Sequence, residues 1–180
     1  FFFKYRNQFN SLFKESYGES EEEKIRTATS FSFEWLKYSK VIKEFEKDWE
    51  RYFLPFITPD SINGKVVADI GCGLAKQGYF TAKYGAKYIG LDLSEAVEVA
   101  YKNTKKYNSL IIQADIYNLP LKGNLVDYYY SIGVLHHLPN PKEGFLKIVE
   151  LMRMMICTLT CVYGKHRNRK ATLIYNPLRA

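Results

Sequence analysis

Cysteine is scarce in this chain, and its scarcity limits the class of protein. The 180 residues include three cysteines, Cys72, Cys157 and Cys161, too few for the disulfide framework of a small secreted domain. Cys157 and Cys161 have three residues between them, as in one half of a zinc site, but no second Cys or His pair has matching spacing. We therefore expect no metal and a reducing, cytoplasmic environment.

Long apolar runs are also missing. No stretch approaches the roughly 20 apolar residues that cross a bilayer, and the opening Phe1-Phe2-Phe3 is too short for the core of a signal peptide. The composition, with 47% hydrophobic and 25% charged residues, is typical of a globular protein. These observations exclude a membrane-spanning, fibrous or disordered chain and favour a single domain with a helical appendage.

Positive charge exceeds negative charge, with 26 Lys and Arg against 19 Asp and Glu and a net charge of +7. Such an excess suits either an RNA partner or a lysine-rich solvated surface. The basic residues are spread along the chain and no nucleic-acid-binding motif accompanies them. The sequence therefore favours the solvated surface, and the cluster Arg167, Arg169 and Lys170 fits a solvated basic tail.

The first third of the chain differs in character from the rest. Residues 1–33 are polar and aromatic, which predicts an irregular or partly helical lead-in. A stripe at three- and four-residue steps then predicts one amphipathic helix from Glu34 to about Tyr52. Its apolar members are Trp35, Tyr38, Ile42, Phe45, Trp49 and Tyr52. We expect residues 1–60 to form a helical lead-in or cap and residues 61–180 to form the main domain.

From Asn63-Gly64 onward, short apolar runs alternate with helical stretches. The predicted strands cover residues 66–70, 88–91, 110–114, 126–131 and 156–162. Ser94 is predicted to cap the helix that follows the second strand. Alternating strands and helices indicate an α/β fold with a doubly wound, mainly parallel sheet. Ligands in such sheets bind at the carboxyl ends of the strands.

A glycine turn follows the first strand. Gly71 and Gly73 would let the backbone turn sharply and approach a ligand closely. A dinucleotide-binding fingerprint would need a further glycine at position 76, where this chain has Lys76. Asp69 stands where dinucleotide enzymes usually keep an apolar residue, and its carboxylate suits a ligand with a cationic amine. Cys72, between the glycines, is interpreted as a small filler rather than a nucleophile.

Two further acids follow the next two strands. Asp92, 21 residues after Gly71, is placed to accept hydrogen bonds from vicinal ribose hydroxyls, or else to cap a helix. Asp115 is placed to accept from an adenine amino group while the Ile116 amide donates to the ring, or else to lie in a surface turn. Leu93 would cover one adenine face. These residues predict a nucleoside-containing ligand.

The segment after the fourth strand carries two adjacent histidines. Ser131 begins it and would lie near the reacting end of the ligand. His136 is the candidate general base or acceptor-positioning residue, with a plain pocket-wall role equally open. His137 is expected to cap or pack against the next segment, because adjacent side chains usually point in different directions.

Four linked blocks together resemble the class I S-adenosylmethionine-dependent methyltransferases, and within them the type 11 methyltransferase domain. They are Val-Ala-Asp-Ile-Gly-Cys-Gly from position 67, Gly-Leu-Asp-Leu-Ser from 90, Gln-Ala-Asp-Ile-Tyr-Asn-Leu-Pro from 113 and Asp-Tyr-Tyr-Tyr-Ser-Ile-Gly-Val-Leu-His-His-Leu from 127. The resemblance implies methyl transfer from S-adenosyl-L-methionine to a small-molecule acceptor. It places Asp69, Gly71 and Gly73 at the methionine part of the methyl donor. Asp92 would hold the ribose, and Asp115 with Ile116 the adenine. Ala75 departs from the family, which commonly has a third glycine there.

Two alternatives remain open, a nicotinamide-dependent oxidoreductase and a catalytically silent binding module. The end of the chain also departs from the family, since residues 151–161 contain no Gly or Pro. We therefore expect a C-terminally incomplete sheet of about five parallel strands, an unpaired edge and slow or absent methyl transfer.

Overall fold

A six-stranded sheet forms the centre of the molecule, with strands in the order β3-β2-β1-β4-β5-β6. The computed structural model describes residues 20–37, 39–54, 57–122, 125–151, 157–163 and 170–175. The strands are β1 Val66–Ile70, β2 Lys87–Asp92, β3 Ser109–Gln113, β4 Tyr128–Ile132, β5 Cys157–Tyr163 and β6 Lys170–Tyr175. The helices are α1 Glu21–Lys37, α2 Glu46–Phe53, α3 Pro59–Ile62, α4 Lys76–Lys83, α5 Val97–Thr104 and α6 Pro141–Leu151. Short 3₁₀ turns cover Lys43–Phe45, Ile116–Asn118 and Leu135–His137.

Strand β1 is the centre of the sheet and pairs in parallel with both β2 and β4. Ala68 lies opposite Ile89 on one side and Tyr129 on the other. The chain moves outward from β1 to β2 and β3, then returns to place β4 on the other side of β1. A crevice opens at such a reversal of strand order, at the carboxyl ends of the strands. The fold therefore puts the ends of β1 and β4 at the position where a ligand is expected.

Both faces of the sheet are covered, which explains why β1 has an almost continuous apolar sequence. On one face Trp49, Phe53 and Phe80 pack with Tyr88 and Tyr130 in a buried cluster. On the other face the cluster contains Ala68, Ile70, Leu91, Tyr129 and Ile148. Nearly all these side chains are fully buried, so the doubly wound fold class predicted from the sequence is confirmed.

The single amphipathic helix predicted from Glu34 to Tyr52 is wrong. Helix α1 begins at Glu21 and ends at Lys37, and α2 begins only at Glu46. Ile42, between them, has extended backbone angles of φ −105° and ψ 158°. The apolar spacing continues across this break, but burial does not follow it, because Ile42 is exposed whereas Trp49 and Phe53 of α2 are buried. Tyr38, a member of the predicted stripe, lies outside the described residues.

The sheet continues beyond the five strands predicted from the sequence. Strand β5 pairs in parallel with β4, and β6 pairs antiparallel with β5, with Leu159 opposite Ile174 and Tyr163 opposite Lys170. The predicted count of five parallel strands is therefore wrong, because an antiparallel sixth strand follows β5; among the described residues, β6 is the last strand on that side of the sheet. Strand β6 was missed because its short run directly follows a cluster of basic residues, which favours a solvated tail. No helix in the described ranges is long and apolar enough to cross a membrane.

Candidate functional site

A cavity of about 500 Å³ lies at the carboxyl ends of the central strands. Its walls come from α1, the turn after β1, the end of β2 and the segments that follow β3 and β4. The volume lies within the range of about 300–1,000 Å³ of typical small-molecule sites. Residues from Lys24 to Leu138 contribute to it, so the fold gathers widely separated parts of the sequence in one site.

The turn after β1 is built on left-handed backbone conformations. Gly71 and Gly73 have φ angles of 79° and 52°, which favour glycine because a Cβ would clash with the backbone. A Cβ on Gly71 would also lie 2.3 Å from a Val134 methyl group. Ala75, where the family commonly has glycine, has a φ of 59° and is fully buried. Alanine thus adopts a left-handed conformation at the N-cap of α4.

The carboxylate of Asp92 joins the end of β2 to the glycine turn. The Gly73 N–H donates to Asp92 Oδ2 at 2.8 Å, and the Ser94 N–H and Oγ–H donate to Oδ1 at 2.9 and 2.7 Å. These donors use three of about four acceptor positions of the carboxylate, and Asp92 also lines the cavity. The prediction that Ser94 caps the next helix is wrong, because α5 begins at Val97 with Ala96 at its N-cap. Ser94 instead fixes the orientation of Asp92.

Asp69 is the most deeply buried acid of the site. It is 4% exposed, reaches the cavity wall, and its Oδ2 accepts a hydrogen bond of 2.9 Å from the Tyr88 hydroxyl. Burial raises the pKa of Asp69 to about 7, against hydrogen bonds from Tyr88 and Tyr130 that lower it. A cationic amine in the cavity would favour the ionised carboxylate. Asp69 therefore suits the role of charge partner for an amine.

Cys72 lies between the two glycines with its side chain buried. Burial, followed by the charges of Asp69 and Asp92, raises the pKa of the Cys72 thiol well above its ordinary value. A thiol in such surroundings stays protonated, and the thiolate is the nucleophilic form. The structure therefore favours the predicted role of a small filler in the cavity wall.

Asp115 follows β3 and takes part in two interactions. Its Oδ1 accepts from the Tyr117 N–H at 3.1 Å, which starts the 3₁₀ turn at Ile116. Its Oδ2 accepts from Lys24 Nζ at 2.9 Å, in an ion pair that reaches across to α1. Ile116 and Leu93, the other residues assigned to an adenine site, also line the cavity. No sequence pattern indicated Lys24, which falls in the part predicted to be a lead-in.

The two histidines lie side by side on the 3₁₀ turn after β4. Their ring centroids are 4.0 Å apart and both line the cavity. The expectation that they point in different directions is therefore wrong, because a tight turn keeps both rings on one side. Ser131 is fully buried within β4 and is absent from the cavity wall, where Gly133 and Val134 lie instead.

Helix α1 covers the cavity with aromatic side chains. Phe31 stacks on Trp35 at 6.1 Å and meets the His137 ring edge-on at 5.3 Å. Gln77, which sequence analysis did not single out, also lines the cavity and has a buried Oε1 with no hydrogen-bond partner. Phe31 and Trp35 thus form an aromatic wall beside the His137 ring.

The ligand implied by the sequence fits these residues. Gly71 and Gly73 keep the turn free of side chains where it lines the cavity, and Asp69, Asp92 and Asp115 line the cavity from three successive strands and the segments that follow them. Such a fold with such a site defines the class I S-adenosylmethionine-dependent methyltransferases. Residues 68–154, just under half of the chain, match a family model described as "Methyltransferase domain", the type 11 family. The nicotinamide alternative is thereby set aside.

Curated proteins and solved structures show the same likeness. The chain is 25% identical over 143 residues to a tRNA U34 carboxymethyltransferase of Alcanivorax borkumensis, covering 73% of this chain and 44% of the relative. It is 32% identical over 93 residues to a tRNA (carboxymethyluridine(34)-5-O)-methyltransferase of Arabidopsis thaliana, covering 52% and 22%. The chain thus spans less than half the length of these relatives.

Two solved structures share the fold at low sequence identity. Magnesium protoporphyrin IX methyltransferase from Synechocystis has a TM-score of 0.61 and 18% identity, over 76% of this chain and 71% of that one. A methyltransferase from Mesorhizobium loti that depends on S-adenosylmethionine has a TM-score of 0.56 and 20% identity, over 73% and 65%. At this identity the comparison establishes the fold and leaves the methyl acceptor open.

Proposed function

We propose that this chain transfers a methyl group from S-adenosylmethionine to an acceptor that enters the cavity beside His136. The observation that carries the proposal is the hydrogen bond between Gly73 and Asp92, which joins the glycine turn and the acid assigned to the ribose in one cavity wall. Without that bond the two motifs would be separate features of the sequence. With it they form a single preformed site.

Each part of the proposed ligand has a partner among the cavity residues. Gly71 and Gly73 would hold the amino-acid part, with Asp69 as the charge partner of its amine. Asp92 would accept from the ribose hydroxyls. Asp115 would accept from the adenine amino group while the Ile116 N–H donates to the ring. When bound, S-adenosylmethionine supplies a methyl group on a positively charged sulfur, already a strong electrophile.

The protein's contribution at the other end is to position the acceptor and to exclude water. Phe31 and Trp35 cover this end from α1, and Val134 and His136 line it from the segment after β4. A preorganised, dry site supplies much of the rate enhancement when the reacting groups need mainly alignment. His136 would accept a proton from the acceptor or orient it. The enclosed aromatic walls support a small, planar or apolar acceptor.

A second acceptor class is favoured by a different observation. Both curated relatives described above are named for tRNA, and the chain carries a net charge of +7. A nucleobase turned out of its stack would also be planar and would fit between aromatic walls. An RNA acceptor predicts a steep loss of binding with added salt, because phosphate contacts release counterions.

The proposal is tested in two stages with the purified 180-residue chain. S-adenosylhomocysteine is first titrated by calorimetry, and no detectable binding would refute the assignment. Methyl-labelled S-adenosylmethionine is then incubated with total tRNA or with a small-molecule extract at high enzyme concentration, and the labelled fraction identifies the acceptor class. Binding without label transfer would favour the silent binding module instead. High enzyme concentration matters because slow turnover is among the expectations from the sequence.

His137 provides a matched control for a substitution at His136. His136→Ala should lower methyl transfer while leaving S-adenosylhomocysteine affinity near that of the unmodified chain, because the residue lies at the acceptor end. His137→Ala, on the neighbouring ring, should affect transfer less. Equal effects of the two substitutions on transfer would leave His136 with only a wall role.

A further inference from the structure

Lys24 links the helix that covers the cavity to the acid at its adenine end. Its ammonium nitrogen lies 2.9 Å from Asp115 Oδ2 and 4.8 Å from the centre of the Tyr117 ring. The Lys24 side chain is only 8% exposed, and that of Asp115 is 29% exposed. Thr27, Ala28 and Phe31, on the same helix, line the cavity beyond it. The buried ammonium group of Lys24 therefore anchors one end of the part of α1 that covers the cavity.

The ion pair leaves Asp115 able to accept a further hydrogen bond. Its two oxygens offer about four lone-pair positions, and the Tyr117 N–H and Lys24 ammonium each use one. An adenine amino group can therefore bind the carboxylate without displacing Lys24. Ligand and lysine are not competitors for the same lone pair.

An adenine ring in that position would remove Asp115 from water. A carboxylate in a dry site is costly unless a cation is paired with it. The attraction between Lys24 and Asp115 would also strengthen, because the local dielectric constant falls when water leaves. Adenine binding therefore favours the ion pair, and the ion pair in turn lowers the cost of covering Asp115.

We propose that Lys24 is a cofactor-positioning residue whose ion pair with Asp115 makes adenine binding and the docking of α1 mutually favourable. The inference rests on the function proposed above. Thermodynamic linkage requires the coupling to act in both directions with the same factor. Adenine binding would then also favour the position of α1 in which Phe31 and Trp35 cover the acceptor end of the cavity.

The test measures S-adenosylhomocysteine affinity by calorimetry and hydrogen exchange of the α1 amides with and without that ligand. In Lys24→Met, affinity should fall on the order of tenfold, and the protection of α1 added by the ligand should disappear. Lys24→Arg keeps the positive charge and should restore most of both. Arg26→Met removes an exposed cation from the same helix and should behave like the unmodified chain.

A second measurement needs no substitution and covers the case in which Lys24→Met fails to fold. Saturating adenosine, which carries the adenine ring, should protect α1 in the unmodified chain, whereas homocysteine should not. Unchanged or tighter ligand binding in Lys24→Met would overturn the inference, and so would a lack of protection by adenosine. If the unmodified chain bound no S-adenosylhomocysteine at all, the proposed function itself would fail, a result distinct from these.

Discussion

The backbone N–H of Gly73 donates a hydrogen bond of 2.8 Å to Oδ2 of Asp92. The carboxylate thus holds the glycine turn in place before any ligand arrives, in addition to facing the cavity. A second carboxylate does a similar job at the opposite end of β1, where Asp127 Oδ2 accepts from the Val66 N–H at 2.8 Å. Both carboxylates accept a hydrogen bond from a backbone N–H group, but of the two only Asp92 lines the cavity.

Asp92→Ala should therefore weaken both the fold and ligand binding, whereas Asp127→Ala should weaken only the fold. Loss of a charged acceptor costs about 1.5–3 kcal/mol for each hydrogen bond to the ligand. Calorimetric titration with S-adenosylhomocysteine and thermal unfolding measure the two effects separately. Equal ligand affinity in the two variants would contradict the placement of the ribose at Asp92.

Gly71→Ala should disrupt the turn that follows β1. Its φ of 79° disfavours a side chain, and the new methyl group would lie 2.3 Å from Val134. Val134 is β-branched and has little rotamer freedom with which to move aside. Gly64→Ala is the matched control, because Gly64 has a φ of 75° with nothing within 4 Å of the added atom.

Both glycine variants should lose stability from backbone strain, by roughly 1 kcal/mol. Gly71→Ala should lose more in thermal unfolding and should also lose S-adenosylhomocysteine binding. Combining Gly71→Ala with Val134→Ala should restore part of the difference. If Gly64→Ala proved as damaging to binding, the close approach to Val134 would not be the cause.

Asp69→Asn should show that pH acts in opposite directions on the stability of the fold and on ligand affinity. In the folded chain the pKa of Asp69 is raised from 3.8 to about 7, so the folded state holds a proton that the unfolded state releases. Its contribution to stability is thus present below pH 4 and falls as pH rises to 7, by up to about 1.4 kcal/mol per pH unit. The asparagine variant lacks this loss and keeps an acceptor for the Tyr88 hydroxyl.

Binding should change in the opposite sense. Ionised Asp69 attracts the ligand amine, so the affinity of the unmodified chain for S-adenosylhomocysteine should rise as pH passes 7. The variant should be the more stable protein at pH 8 and the weaker binder, with a flatter pH profile. Unfolding and titration series from pH 5 to 8 measure both, and parallel curves for the two proteins would refute the role of Asp69.

Phe31 and Phe33 offer a matched pair on α1. Phe31 lines the cavity, whereas Phe33 is 69% exposed and is absent from the cavity wall. Phe31→Ala should raise the acceptor KM and lower methyl transfer by removing the contacts with Trp35 and His137. Phe33→Ala should leave transfer unchanged. Steady-state rates with the identified acceptor decide this, and equal losses would assign a general packing role to the helix.

Much of the site was predictable from the sequence because its parts stand at the ends of strands. Val66–Ile70 is a compact apolar run that ends in Gly71, and both of its ends agree with the prediction. Asp92 and Asp115 were found for the same reason, since each directly follows such a run. Local patterns of this kind need no knowledge of how the elements pack.

Contacts between distant elements could not be predicted in this way. The bond from Lys24 to Asp115 joins positions 91 residues apart and depends on how α1 lies across the sheet. The break between α1 and α2 was hidden because apolar spacing continues through Ile42, which the structure leaves 47% exposed. The joint orientation of His136 and His137 likewise depends on a tight turn that the sequence pattern does not reveal.

The spread of the cavity walls along the chain, from Lys24 to Leu138, has a consequence for the folded state itself. No short peptide contains the site, so a ligand that occupies it stabilises the native chain at the expense of the unfolded one. Ligand at 100 times its dissociation constant would add about 2.7 kcal/mol to the free energy of unfolding. With S-adenosylmethionine bound as proposed, the concentration of the methyl donor would therefore affect the rate of proteolysis before any methyl group is transferred.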